Sequence, residues 1–172
     1  MIRNSRIGAL IATAAVALTA LVISACGGSS SNTTTPTTAG GKAATVGLES
    51  EGSLGKILVN SQGRSLYLFQ KDQGTTSECT GACAEAWPPL RATGTPVVGT
   101  SLAASKLGTT ARSDGEKQVT FNGHPLYLYT GDQKAGDTNG QGLNVFGGGW
   151  FTLNSAGNIV SGQGSGNGSV GY

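Results

Sequence analysis

The sequence contains one phrase twice, "SLYLFQKDQ" at residues 65–73 and "PLYLYTGDQ" at residues 125–133. Laid in register, both stretches have a tyrosine, an aromatic residue two positions later and an aspartate five positions later. The residues of this repeat motif are Tyr67, Phe69, Asp72, Tyr127, Tyr129 and Asp132. A motif that returns at a fixed spacing is typical of a duplicated structural unit. The sequence therefore predicts two related units, at about residues 50–100 and 110–160.

Each copy of the motif predicts a β-strand that is buried on both faces. Successive side chains of a strand alternate, so the leucines point to one face and the aromatic residues to the other. A strand without a polar face belongs in the middle of a packed structure. A hairpin is expected at Asn122-Gly123, because both residues accept the positive φ of a type I′ turn. A third hairpin is predicted over residues 150–160, with its turn at Asn154 to Gly157.

These patterns predict an all-β fold over residues 44–160. We expect a single compact antiparallel sandwich or small barrel built from the two units. Helix is limited to one or two short turns: "ACAEAW" at residues 82–87 ends at two prolines, and Ser101 is the expected cap of the other. The motif residues are interpreted as scaffold rather than as a binding device.

The N-terminal residues indicate export. Two arginines precede a long uncharged apolar run, and residues 1–25 therefore read as a signal peptide. The sequence Ile-Ser-Ala-Cys at residues 23–26 resembles the bacterial lipobox, which implies that Cys26 carries lipid, palmitate included. Ordinary secretion with Cys26 as a structural thiol is the alternative. Residues 26–43 are then a flexible Gly/Ser/Thr tether, and residues 161–172 a disordered Gly/Ser tail.

The charge of the mature chain excludes some partners. Removal of residues 1–25 takes two of the 11 basic residues and leaves nine against nine acidic ones. Nucleic-acid binding therefore has no electrostatic support. We expect a monomer on the exported face of the cell membrane, attached to that membrane by the lipid on Cys26. Its other partner is an unknown envelope protein or a small ligand.

The remaining cysteines are a candidate site. Cys79 and Cys83 are an even pair in an exported chain, and a local disulfide is predicted. The alternative is a copper or redox site formed by Cys79, Cys83 and His124, since thiolates and imidazole bind Cu(I). A structural zinc site would need four ligands of the Cys/His type, and only three are available.

Asp72 and Asp132 follow the motif strands, where a carboxylate usually accepts backbone N–H groups and sets a turn. A weak calcium site using Asp132, Asp137 and Asn139 is the alternative. The stretch "DTNGQG" at residues 137–142 begins like a calcium loop but has no acidic residue at position 12.

The sequence offers no catalytic residues and no cofactor site. It contains no nucleophile elbow, dinucleotide fingerprint or phosphate-binding loop. Trp87 and Trp150 are interpreted as core residues, with an exposed sugar-stacking platform as the alternative.

The chain resembles the bacterial secreted-repeat lipoproteins with the motif Tyr-x-(Phe/Trp/Tyr)-x-x-Asp. The features that carry the resemblance are Cys26, the two motifs, "CTGACAEAWPPL" at residues 79–90 and "GDQKAGDTNGQG" at residues 131–142. The resemblance covers about residues 50–155. It implies architecture and exported location, and no activity. Many relatives have Trp-His after the glycines, whereas this chain has Trp150-Phe151. A metal role for that histidine therefore does not transfer.

The expected function is that of an exported, lipid-anchored cell-envelope lipoprotein, a non-enzymatic binding or structural module. The alternative is an exported metal or redox protein, for copper handling or electron transfer, that uses Cys79 and Cys83 with help from His124.

Overall fold

The computed structural model describes residues 43–162. The predicted signal peptide, the lipidation of Cys26, most of the tether and nearly all of the tail lie outside these residues. None of the helices between residues 43 and 162 has the length and apolar character that crossing a bilayer requires.

The described residues are mostly strand and turn, which confirms the all-β prediction. The strands are β1 (Thr45–Glu51), β2 (Gly55–Asn60), β3 (Tyr67–Phe69), β4 (Val97–Val98), β5 (Leu107–Ala111), β6 (Lys117–Phe121), β7 (His124–Pro125), β8 (Asn144–Val145) and β9 (Gly148–Thr152). One α-helix, α1 (Ala82–Ala86), and two 3₁₀ turns (Gly52–Leu54 and Ala104–Lys106) complete the described elements.

These strands form three small sheets, in the orders β2-β1-β4, β3-β9-β8 and β5-β6-β7. All pairings within these sheets are antiparallel except that of β1 with β4. The sequence predicted either a sandwich or a small barrel, and within residues 43–162 the sheets do not close into a barrel. The architecture is that of an open sandwich with a core between the sheets.

Two of the predicted turns have the expected geometry. Asn122 and Gly123 have φ values of 50° and 83°, as a type I′ hairpin requires. At the third hairpin the Gly157 N–H donates to the Asn154 carbonyl at 2.9 Å. The prediction for Ser101 was wrong, because the 3₁₀ turn starts at Ala104 and has no side-chain cap.

The two units are interleaved rather than placed side by side. Strand β3 of the first unit pairs with β9 of the second, with Phe69 opposite Trp150. In the reverse direction, the segment after Trp87 pairs with the second motif: the Leu90 N–H donates to the Leu126 carbonyl at 2.8 Å. Each tryptophan-containing segment therefore lies beside the motif strand of the other unit.

A pseudo-two-fold axis runs through the contact between the two motifs. The Tyr67 N–H donates to the Tyr127 carbonyl, and the Tyr127 N–H donates to the Tyr67 carbonyl, both at 2.9 Å. On one side of this contact lies an aliphatic core that includes Leu66, Leu68 and Leu126. On the other side lies an aromatic core.

The prediction of a strand buried on both faces is confirmed for the first motif, where Tyr67–Phe69 form β3. It was wrong for the second motif, where the regular strand is His124–Pro125, Tyr127 makes isolated bridges, and Leu128 and Tyr129 are only half-buried.

Candidate functional site

The repeat motif forms two reciprocal hydrogen bonds between the units. The Tyr67 hydroxyl donates to Asp132 Oδ2 at 2.7 Å, and the Tyr127 hydroxyl donates to Asp72 Oδ2 at 2.9 Å. Both tyrosines are fully buried. Burial, reinforced by the adjacent carboxylate, raises the pKa of each tyrosine far above its usual value, so the hydroxyls stay protonated and serve as donors.

The second oxygen of each aspartate closes a loop of its own unit. Asp72 Oδ1 accepts the Glu78 N–H at 2.8 Å, and Asp132 Oδ1 accepts the Asn139 N–H at 2.8 Å. Burial raises the pKa of Asp72 to about 6 and raises that of Asp132 as well. Both carboxylates therefore make structural hydrogen bonds of the kind predicted from their position after the motif strands.

A buried arginine supports the Asp72 side. The Arg112 guanidinium donates to Ser77 Oγ at 2.7 Å, to Gln118 Oε1 at 2.7 Å and to the Cys79 carbonyl at 2.8 Å. Ser77 Oγ is in turn 2.7 Å from the Tyr127 hydroxyl. This polar network links the second motif to the loop that contains the first disulfide cysteine.

The aromatic residues form one continuous stack across the pseudo-two-fold axis. Ring centroids are 4.1 Å apart for Phe69 and Trp150, 3.9 Å for Trp150 and Trp87, and 4.2 Å for Trp87 and Tyr129. Tyr67 lies edge-on to Trp87 at 5.3 Å. A sugar-stacking platform needs exposed rings, but both tryptophans are fully buried. The structure thus places them in the core.

Cys79 and Cys83 form a disulfide, as predicted. Both residues are buried beside the aromatic core. In this state neither sulfur is a thiolate, which removes two of the three ligands of the alternative copper site. The described residues contain no group of three or more His, Cys, Asp and Glu side chains that could bind a metal ion. The copper site is therefore not formed in the oxidised protein.

The calcium candidates make hydrogen bonds within their own loop. Asp137 Oδ2 accepts the N–H groups of Gln133 and Lys134, which lower the pKa of Asp137. The Asn139 amide donates to the Gly131 carbonyl. Because Asp132 is bonded through both oxygens, the three side chains form a loop-closing set and not a calcium cage.

His124 is half-exposed and lines a cleft of about 370 Å³. The lining residues are Leu68, Phe69, Gln70, Asp72, His124, Gly157, Asn158 and Ile159. The cleft brings the only histidine of the chain and a motif aspartate to one surface. The sequence predicted that His124 lies close to a motif strand, but it did not predict that His124 lies in the same cleft as Asp72.

The equivalent position in the first unit is Arg64, which sequence reasoning left without a role. Its guanidinium donates to the carbonyls of Tyr129 and Asp132, at 2.8 and 2.7 Å. Its alignment with His124 in the repeat was the available signal. Arg112, Ser77 and Gln118 were also missed. Gln118 is fully buried in β6.

An all-β domain of two interleaved aromatic repeats defines the structural class of this protein. The family model Lipoprotein_15, described as a secreted repeat of unknown function, matches residues 50–91 and 108–154, just over half of the chain. The chain belongs to this family, and its description as a secreted repeat indicates an exported protein. No curated protein matched the chain, and no solved structure did either.

Proposed function

We propose that the protein is a lipid-anchored component of the bacterial cell envelope, attached through Cys26, whose β-domain acts as a non-enzymatic binding or structural module. The observation that carries the second part is the reciprocal bonding of the repeat motif. Inside the protein, each motif tyrosine donates a hydrogen bond to the motif aspartate of the other unit: Tyr67 to Asp132, and Tyr127 to Asp72. The motif therefore offers no reactive group to a substrate. The lipobox-like sequence at residues 23–26 supports the first part.

The anchoring is tested by expressing the full chain in a bacterial host with labelled palmitate. We expect label on the wild-type protein and a mature N-terminal peptide that begins with diacylated Cys26. The Cys26→Ser variant should incorporate no label. A mature N-terminus at another residue, or an unmodified Cys26, would overturn the lipid anchor.

The non-enzymatic role is tested by incubating the purified protein with an extract of cell-envelope components and following their masses. Folded and heat-unfolded protein should leave the same mixture of components. Consumption of a component by the folded protein alone would overturn the proposal, and loss of that consumption in a single polar variant would locate a catalytic centre.

A further inference from the structure

The internal repeat allows the two halves of the protein to be compared position by position. In one half, Arg64 fills a pocket formed by the exit of the second motif strand. Its guanidinium donates to the carbonyls of Tyr129 and Asp132, three residues apart, at 2.8 and 2.7 Å. Partly buried carbonyls and a nearby carboxylate favour a planar cation with several N–H donors. We call this arrangement the Arg64 pocket.

The matching position in the other half is His124, beside the exit of the first motif strand. The carbonyls that correspond to those of Tyr129 and Asp132 are those of Phe69 and Asp72, and both residues line the His124 cleft. The backbone is alike at the two exits: the Asp72 N–H donates to the Phe69 carbonyl at 3.1 Å, and the Asp132 N–H to the Tyr129 carbonyl at 3.2 Å. The two exits therefore share backbone geometry but differ in the side chain beside them, which is Arg64 in one half and His124 in the other.

No arginine of residues 43–162 supplies a guanidinium to the His124 cleft. Arg64 is in its own pocket, Arg91 pairs with Glu116, and Arg112 donates to Ser77, Gln118 and the Cys79 carbonyl. Lys106 lies near one wall of the cleft, where its ammonium donates to the Ala156 carbonyl. The imidazole of His124 is shorter than an arginine side chain, and a cleft of about 370 Å³ remains open in front of Asp72.

We propose that the His124 cleft binds a guanidinium group, in the position that Arg64 occupies in the other half of the protein. The carbonyls of Phe69 and Asp72 supply the hydrogen-bond acceptors. The Asp72 carboxylate, whose two oxygens already accept the Glu78 N–H and the Tyr127 hydroxyl, supplies charge only. The cleft is open to the surface and large enough for an arginine side chain. This assignment names a ligand class for the binding module and rests on that proposed function.

The test uses the full exported chain in detergent, titrated with N-acetyl-argininamide and followed by NMR of the His124 ring. We expect saturable binding with a Kd on the order of 1 mM, as for a small ligand with few contacts. The neutral isostere N-acetyl-citrullinamide should bind at least about 10-fold more weakly, because it lacks the charge that Asp72 attracts. Free arginine and an end-blocked arginine peptide distinguish the two sources of the group, a small guanidino compound and a protein side chain.

Two variants at one position provide a matched pair, read by isothermal titration of the same probe. His124→Arg places a guanidinium in the cleft from the protein itself and should weaken probe binding at least about 10-fold. His124→Gln removes the imidazole without supplying a cation and should stay within about 3-fold of the wild type.

Three results would overturn the assignment: no saturable binding of the arginine probe, equal binding of arginine and citrulline probes, or undiminished binding by a folded His124→Arg protein. If that variant fails to fold, the wild-type comparison of the two probes decides alone. None of these results bears on acylation of Cys26 or on turnover, so failure of the cleft assignment is distinguishable from failure of the proposed function.

Discussion

The hydroxyl of Tyr67 donates to Asp132 Oδ2 at 2.7 Å, between residues that lie 65 positions apart in the chain. The mirror bond joins Tyr127 to Asp72. Each motif therefore contributes the donor of one bond and the acceptor of the other. Each tyrosine hydroxyl and each aspartate Oδ2 therefore has its hydrogen-bond partner in the other half of the protein, and the motif holds the two units together.

Removal of one donor should destabilise the fold. Tyr67→Phe leaves Asp132, which is only 2% exposed, without its hydroxyl partner. A lost hydrogen bond to a buried carboxylate costs about 1–3 kcal/mol in the free energy of unfolding. Urea denaturation followed by tryptophan fluorescence measures this loss.

Tyr129→Phe is the matched control for that variant. Position 129 corresponds to Phe69 in the first unit, so the sequence already has a phenylalanine at the equivalent place in the stack. The change in unfolding free energy should stay within about 0.5 kcal/mol. Equal losses for Tyr67→Phe and Tyr129→Phe would contradict the role assigned to the Tyr67 hydroxyl.

Gly140 permits the close approach of a loop to the aromatic core. A Cβ at this position would lie 2.7 Å from Trp87 Cη2 and 3.0 Å from Tyr67 Cζ. Gly140→Ala should therefore lower the free energy of unfolding by about 1–3 kcal/mol through overpacking. Gly94→Ala is the control, because no atom lies within 4 Å of its Cβ position and its φ is not positive. Thermal denaturation that shifts equally for both variants would contradict this account.

The raised pKa of Asp72 predicts a specific pH dependence. The folded protein binds a proton at Asp72 more tightly than the unfolded chain, with a pKa of about 6 against the usual 3.8. The contribution of Asp72 to the free energy of unfolding should therefore fall as the pH rises from about 4 to about 6. Asp72→Asn removes this titration, so its stability relative to the wild type should improve over that range. Parallel stability curves for the two proteins would refute the shift.

We expect the disulfide between Cys79 and Cys83 to make a modest contribution to the free energy of unfolding, which can be removed without loss of the fold. Closure of the short loop between Cys79 and Cys83 contributes about 2 kcal/mol in the chain-entropy treatment. The double variant Cys79→Ala with Cys83→Ala should lose this amount and keep the native fold, as read by near-ultraviolet circular dichroism. In the wild type, thiol titration under denaturing, non-reducing conditions should find neither cysteine free. Two titratable thiols in the native protein would contradict the disulfide.

Local patterns in the sequence were sufficient to predict the strands and several turns. Alternation of leucine and aromatic side chains around Tyr67 predicted a strand with two buried faces, which β3 has. The Asn122-Gly123 turn follows from backbone sterics alone. Because these features depend on residues close together in the chain, they could be predicted without knowledge of the tertiary fold.

The interleaving and the polar network could not be predicted in this way. A tryptophan 20 residues after the tyrosine of its motif, such as Trp87, could pack on its own unit or on the other, and composition does not distinguish the two. The partners of Arg64 likewise lie far along the chain, as do Ser77 and Cys79 among the partners of Arg112. Ser101 failed as a cap because short 3₁₀ turns form where backbone geometry allows, without a side-chain oxygen.

The crossed pairing of the tryptophan segments bears on how such a chain could have arisen. A polypeptide with a single repeat would complete its core only by exchanging its tryptophan segment with that of a second copy, as in a domain-swapped homodimer. The present protein contains both repeats, and both exchanged segments, in one polypeptide. Cleavage of the connector between the repeats, within residues 92–106, should leave two fragments that remain associated and separate only on denaturation.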